Sequence, residues 1–417
     1  MSHMGHIGLI GLMSLFLINL CPTPLLGQIK IGGNVYGGGN HAEVRGSSRV
    51  TVTAGNIGAV LDPNVKGNLE DPQGRVFGGA RMADVKGSSF VHIDGENATD
   101  YILINYVFGG NDIAGHIGTA KAVGDTIPEE LTEVRREAAD LTNEKLNTVD
   151  KTFNSYVRVS TKTAYTAAEI AAATEGDPAY GKTAGVPDHY TQEEITAAAL
   201  NPDDAAYGKR TTDIKPPTSA KKIYIGQLFG GGNGDYTYLD ADGDSLRDGD
   251  DYIAKQGDII IARSKTPLLN PELDSVYMEI VGGSIVYGYG GGNNATVKEQ
   301  TLLHFDNPSA VVNHIWTDAA GVEVAEGTTG AIDLLTTERF KEMGINTTFS
   351  QPSSGAYQVG RFFGGNNKAE MHIRPTWNLL AGKIRNLYSG GNRGAMTSPE
   401  GLLLEIKDSS SLIVDNL

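Results

Sequence analysis

One short unit recurs along this chain and restricts its fold more than any other feature. An aromatic residue is followed by two or three small residues, mostly glycine, and usually an asparagine. The copies are Tyr36-Gly37-Gly38-Gly39-Asn40, Phe77-Gly78-Gly79, Phe108-Gly109-Gly110-Asn111, Phe229-Gly230-Gly231-Gly232-Asn233, Tyr289-Gly290-Gly291-Gly292-Asn293, Phe363-Gly364-Gly365-Asn366 and Tyr388-Ser389-Gly390-Gly391-Asn392. Such recurrence means that copies of one supersecondary unit build the molecule. The flanks repeat as well. Ala42-Glu43-Val44-Arg45-Gly46-Ser47-Ser48 matches Ala83-Asp84-Val85-Lys86-Gly87-Ser88-Ser89 position by position, and each runs into an alternating stretch, 49–53 and 90–94. Period-two alternation predicts half-buried strands, with Ala42 and Val44 inward and Glu43 and Arg45 outward.

The closest pair of rings without a large insertion is Phe363 and Tyr388, and 388 − 363 = 25 residues. A unit of that length suits one turn of a parallel β-helix, which buries its apolar face only by stacking on its neighbours. The expected fold class is therefore all-β, a β-solenoid with a helical insertion. A β-propeller is the alternative, since its blades also repeat. The unequal spacing of the motifs favours the solenoid, which tolerates loops of any length between turns. Glycines are expected at the corners, for positive φ and close backbone approach. The asparagines are expected to form a hydrogen-bonded ladder, and the rings a stack beside it. The repeat also explains why 54 of 417 residues are glycine; there is no Gly-X-Y period, so collagen is excluded.

Residues 1–27 read as a signal peptide: an apolar run from Ile7 to Leu20, then Gly27 before Gln28 at a plausible cleavage point. The start carries His3 and His6 but no Lys or Arg, so an uncleaved anchor and a lipoprotein attached through Cys21 stand as rivals. Cys21 is the only cysteine. A chain cleaved after Gly27 would hold no disulfide, and its stability would have to come from a long, regular core. No later segment is apolar for long enough to cross a bilayer as a helix. The net charge of −16 argues against nucleic acid as a partner.

The remaining organisation is solenoid turns over 28–111, a mainly helical insertion over 112–222, and further turns with loop insertions over 223–417. Within the insertion, 128–146 is rich in helix formers. Two related units follow. Thr166-Ala167-Ala168-Glu169 and Thr191-Gln192-Glu193-Glu194 both carry the capping-box spacing, and each unit ends in Ala-Tyr-Gly-Lys, at 179–182 and 206–209. A third interruption, roughly 305–357, contains one expected helix over 337–343. The last residues, 412–417, look like a strand, whose edge is expected to meet a partner or further turns.

Candidate chemistry is sparse. Asp240, Asp242, Asp244, Asp248 and Asp251 fall at positions one, three, five, nine and twelve of a calcium-type loop, with the Leu246 carbonyl at seven. Ser245 stands where an EF-hand has glycine, and Asp251 stands where it has glutamate. The expectation is a looser, structural Ca2+ loop of extracellular type. Gly37-x-Gly39-x-x-Ala42 and Gly290-x-Gly292-x-x-Ala295 fit a loose dinucleotide fingerprint, but strand-like alternation follows where the fingerprint needs a helix. Glu43, Asp84 and Glu370, and Arg45 and Lys86, recur with the repeat and read as salt-bridged outward faces. The nine histidines show no metal-ligand spacing.

The YGGGN and FGGN units, followed by A-x-V-x-G, resemble those of secreted, surface-associated repeat proteins of Bacteroidota. The resemblance covers most of 28–110 and 223–417. It implies an exported, adhesin-like protein of the cell surface, in a group often without a defined ligand; the loops and the helical insert are expected to bind glycan or another surface protein. The alternatives are a β-helix polysaccharide lyase or glycoside hydrolase, and a structural stalk segment; the reading leans away from an enzyme.

Overall fold

Valine, isoleucine and aromatic residues dominate the segments that follow and precede each glycine motif, and these segments are strands. The computed structural model describes residues 29–58, 74–118, 153–201, 204–244, 252–255, 259–263, 270–335, 357–404, 406 and 411–416. The expected leader and the helices expected over 128–146 and 337–343 lie outside the described residues.

Sixteen strands form one sheet, and its strand pairings are parallel. They lie in two rows. The first row runs β1 (Lys30–Ile31), β4 (Gly55–Ile57), β7 (Ile102–Phe108), β12 (Ile223–Phe229), β17 (Ser284–Tyr289) and β21 (Val359–Phe363), with β2 (Val35–Tyr36) and β5 (Arg75–Phe77) joined to it through β7. The second runs β3 (Ser48–Val52), β6 (Ser89–Gly95), β9 (Ser155–Thr161), β16 (Glu272–Val281) and β18 (Thr296–Asp306), with β8 (His116–Ile117) beside β16. β22 (Thr376–Tyr388) belongs to both rows: its first half pairs with β18 and its second half with β21. β23 (Ser411–Asn416) pairs with β22. Propeller blades are separate antiparallel sheets. One parallel sheet running through all seven motifs excludes that alternative.

Register places like on like. Val50, Val91, Val157, Met278, Leu303 and Trp377 line up across the second row. Val76, Val107 and Leu228 line up across the first. All nine belong to a single buried core enclosed between the rows. A short third line, Val44, Val85, Ile117, Leu273 and Val297, packs on the same core. Val44 thus faces inward as expected, but Ala42 is exposed. β3 shows the alternating burial that the sequence predicts, whereas β6 is buried on both sides, because its outer Phe90 packs with Tyr156 and its outer His92 packs against Phe90.

The aromatic residues occupy the opposite side of the first row. Tyr36, Phe77, Phe108, Phe229, Tyr289, Phe363 and Tyr388 form one column, with successive ring centroids 5.0, 4.9, 4.6, 4.6, 5.0 and 4.6 Å apart and near-parallel planes. The spacing equals that of hydrogen-bonded strands, about 4.8 Å, so in-register pairing is enough to stack the rings. Each contact adds about 1 kcal/mol beyond area burial.

The glycine after each ring is required by proximity. A Cβ on Gly37, Gly78, Gly109 or Gly230 would lie 2.3, 2.5, 2.2 or 2.6 Å from the carbonyl oxygen of the equivalent glycine in the next repeat. None of the motif glycines has positive φ. The expected positive φ is found instead at glycines beside strand ends, such as Gly55, Gly58, Gly74 and Gly118, while at the motif glycines it is the close approach that holds. The crowded carbonyls are satisfied from the second row: Ser48, Ser89 and Ser155 Oγ donate to the oxygens of Gly78, Gly109 and Gly230 at 2.6, 2.6 and 2.8 Å. This is the physical reason for the repeated Gly-Ser-Ser.

The expected insertion over 112–222 needs redrawing. β8 and β9 fall inside it and are full members of the sheet; β9 pairs with β6 and β16 along its length. The described helices start only after β9 and are short: α1 (Ala167–Ala172) and α2 (Gln192–Ala198), both with complete capping boxes. The capping glutamates Glu169 and Glu194 also take Lys162 and Lys215. Both Ala-Tyr-Gly-Lys segments form the same turn, with Gly181 and Gly208 at φ of 72° and 69°. The two units are tied by β10 (Asp188–His189) against β11 (Ile214–Lys215). Two further small antiparallel sheets occupy interruptions: β13 (Thr237–Leu239), β14 (Tyr252–Lys255) and β15 (Ile259–Arg263), and β19 (Trp316–Thr317) with β20 (Ile332–Asp333).

Candidate functional site

The acidic segment from Asp240 to Asp251 joins β13 to β14, and Leu239 pairs with Tyr252 across it. Strands flank this loop, so the likeness to a helix–loop–helix calcium site stops at the loop itself. Gly243 N donates to Asp240 Oδ1 at 2.7 Å and Asp244 N to Asp242 Oδ1 at 3.1 Å. Gly243 takes a φ of 82°, which turns the chain back on itself. As a result Asp240, Asp242 and Asp244, all exposed, each bring a carboxylate oxygen within 4.8 Å of the others. Such carboxylates repel, and a hard divalent cation with oxygen ligands at about 2.3–2.6 Å would offset that repulsion. Leu246, Asp248 and Asp251 lie outside the described residues.

The hairpin is anchored at its root. Tyr236 Oη donates to Asp112 Oδ1 at 2.6 Å and receives Arg75 Nη1 at 2.9 Å. Asp112 is fully buried. It also accepts from Tyr36 Oη at 2.9 Å and from Asn233 Nδ2 at 2.8 Å, and the Arg75 guanidinium lies 3.8 Å away. A buried carboxylate is tolerated only with this many partners. On the hairpin's other side Lys368 pairs with Asp235.

Asp112 ends a ladder. Asn392 Nδ2 donates to Asn367 Oδ1 at 2.8 Å, Asn367 to Asn293 at 2.8 Å, Asn293 to Asn233 at 3.0 Å, and Asn233 to Asp112. The expected asparagine ladder therefore forms, with a shift. Where a motif has only two glycines, its asparagine takes the third glycine's place and turns inward: Asn111 and Asn366 Oδ1 accept from Ala80 N and Gly292 N, both at 2.7 Å. The following residue, Asp112 or Asn367, then enters the ladder.

Of the recurrent charges, Glu43, Asp84 and Lys86 form the expected outward ion pairs. Lys86 Nζ lies 3.0 Å from Glu43 and 3.3 Å from Asp84, and its pKa is raised chiefly by the hydrogen bond it donates to Glu43. Arg45 and Glu370 are exposed. One row of polar residues escaped sequence reasoning. Thr51, His92, Arg158, Glu279, His304 and Asn378 align across the outer side of the second row. Arg158 holds Glu279 at 3.4 Å and Glu96 at 3.0 Å. Asn378 Nδ2 meets His304 Nδ1 at 2.7 Å. Burial lowers both His92 and His304 to about 4, so both rings are neutral at pH 7. His92 Nε2 does approach Ser160 Oγ at 2.9 Å. Yet Ser160 is fully buried, and the nearby Asp94 accepts hydrogen bonds from Asn97. A nucleophile without access to substrate supports no acyl or glycosyl transfer.

No helix among the described residues is long and apolar enough to cross a membrane. No family model, no curated protein and no solved structure matches the chain.

Proposed function

We propose that this chain is an exported β-solenoid that serves as an adhesin-like binding scaffold at the cell surface, and that its interruptions take the ligand, a glycan or another surface protein. One observation carries the reading: the repeated groups are spent on one another. The seven rings stack on neighbouring rings, and the ladder amides are bonded to neighbouring amides. Groups already paired along the stack are not free to bind a ligand, so recognition falls to the inserted segments that the rigid wall holds out. The test is a polysaccharide panel offered to the chain from Gln28 onward, scored for both binding and cleavage. Binding without cleavage is the expected result. Cleavage of any glycan would replace the scaffold with a lyase or hydrolase, and no binding at all would leave a stalk.

The same reading gives the Asp240 to Asp251 loop a structural calcium ion, held by Asp240, Asp242 and Asp244 with the Leu246 carbonyl, Asp248 and Asp251. The spacing of the acids along the loop motivates it. Chelator should lower the melting temperature, and Asp242→Ala should lower it to the same level and make it insensitive to chelator. A melt that neither treatment moves would count against the ion.

A further inference from the structure

The insert is a duplication, and its two copies differ at one lysine. In the first copy Lys182 ends the Ala-Tyr-Gly-Lys turn and forms a 2.7 Å ion pair with Asp188, six residues on. In the second copy Lys209 ends the same turn, but the residue six positions on is Lys215, which is itself paired with Glu194. Lys209 has thus lost the acid its counterpart uses. It is also turned inward, at 7% exposure. No described residue accepts a hydrogen bond from its ammonium, and its pKa is lowered, mainly by burial. The neighbouring carboxylate Asp213 is engaged by Arg210, at 2.9 and 3.1 Å.

Lys209 lines a cleft of about 180 Å³ between the insert, the loop after β18 and the sheet. Across the cleft stands a second lysine, Lys383 of β22, also 7% exposed, which donates to the Asp204 carbonyl at 3.3 Å and lies over the Tyr207 ring. The wall is rigid: Gln358 donates to the Ser309 carbonyl at 2.7 Å and accepts from Lys383 N. Asn313, on the same wall, has a buried Oδ1 with no hydrogen-bond partner among the described residues. The charged lining residues are Lys209, Lys383 and Asp204, an excess of one positive charge.

Asp213 and Asp306 act on the Lys209 ammonium only through space, so its hydrogen-bonding capacity is open to an anionic acceptor, and an unpartnered buried acceptor asks for a donor such as a hydroxyl. A group that carries both and fits this volume is one carboxylate-bearing sugar. We propose that the cleft binds a single acidic sugar unit of hexuronate type, with its carboxylate on Lys209 and a ring hydroxyl on Asn313. This rests on the glycan-binding reading above and names the part of the glycan that the molecule selects.

The test is calorimetric titration of the full chain with methyl glucuronoside and, as the neutral isostere, methyl glucoside. Glucuronoside should bind at least tenfold more tightly, and Lys209→Met should abolish the difference while circular dichroism and melting stay as in the parent. Met keeps the length and apolar stem of Lys209 while removing its charge, and the circular dichroism and melt check that the nearby Asp213 and Asp306 tolerate the loss. Asn313→Ala should weaken glucuronoside without affecting competition by acetate. Equal affinity for both sugars, or an unchanged Lys209→Met, would overturn the proposal. Acetate competing as well as glucuronoside would overturn its sugar part. If the polysaccharide panel shows no binding while glucuronoside still binds, the scaffold reading fails and the cleft stands; polymer binding that Lys209→Met leaves untouched fails the cleft alone.

Discussion

Chemically identical glycines in this chain do different work, and distance separates them. Gly109 sits where a Cβ would lie 2.2 Å from the Gly230 carbonyl and 2.2 Å from Ser155 Oγ, whereas a Cβ on Gly46 meets nothing within 4 Å. Overpacking against backbone cannot relax by a rotamer change. Gly109→Ala should therefore cost about 3 kcal/mol, and Gly46→Ala should stay within about 0.5 kcal/mol of the parent, read from urea midpoints. The sequence marks both residues only as members of a repeat. Which of them is crowded depends on a neighbour more than a hundred residues away, and no local pattern reports that. The capping boxes at Thr166 and Thr191 were legible for the opposite reason: donor and acceptor lie three residues apart, so spacing alone implies the contact.

Among elements, the hairpin of β13, β14 and β15 depends on one buried carboxylate. Asp112→Ala would remove the acceptor of Tyr36, Tyr236 and Asn233 and leave Arg75 without its counter-charge. A loss of about 3 kcal/mol or more is expected, as for other broken buried pairs. Limited proteolysis should show faster cutting between residues 240 and 251, with Asp112→Asn intermediate because it keeps acceptor capacity. Elements that carry their own motif were plain in the sequence. β9 was not, because a long segment separates Ser155 to Thr161 from the ring at Phe108 that opens its repeat. Only pairing with β6 restores the correspondence of Ser155 with Ser89 and Val157 with Val91. The row from Thr51 to Asn378 was hidden more deeply. Its six residues come from six strands, and register alone brings them into line.

For the molecule as a whole, acid should be the sharpest stress. His92 and His304 titrate near 4 when folded, because burial disfavours their charged forms, against about 6.5 unfolded. Between those values the unfolded chain binds more protons than the native one, so stability falls as pH falls from about 6.5 towards 4. Each ring contributes up to about 1.4 kcal/mol per pH unit inside that window and nothing more above it. Asp306 works the other way, since burial raises its pKa, but only within the range in which its carboxyl titrates. Denaturation midpoints should be flat from pH 7 to 8 and drop between pH 6 and 5, and His304→Gln should remove about half of that slope. An unchanged slope would mean that His304 is not neutral in the folded state.

The ring column has one more consequence, for how such a chain can be edited. Between Phe363 and Tyr388 the interval is 388 − 363 = 25 residues, and between Phe108 and Phe229 it is 229 − 108 = 121, yet the ring separation is 4.6 Å in both cases. The stack registers only whether the next motif arrives, not how much sequence is spent on the way. New segments can be spliced between two rings, lengthened or exchanged without renegotiating the core. The wall then works as punctuation, and its content can be rewritten one clause at a time.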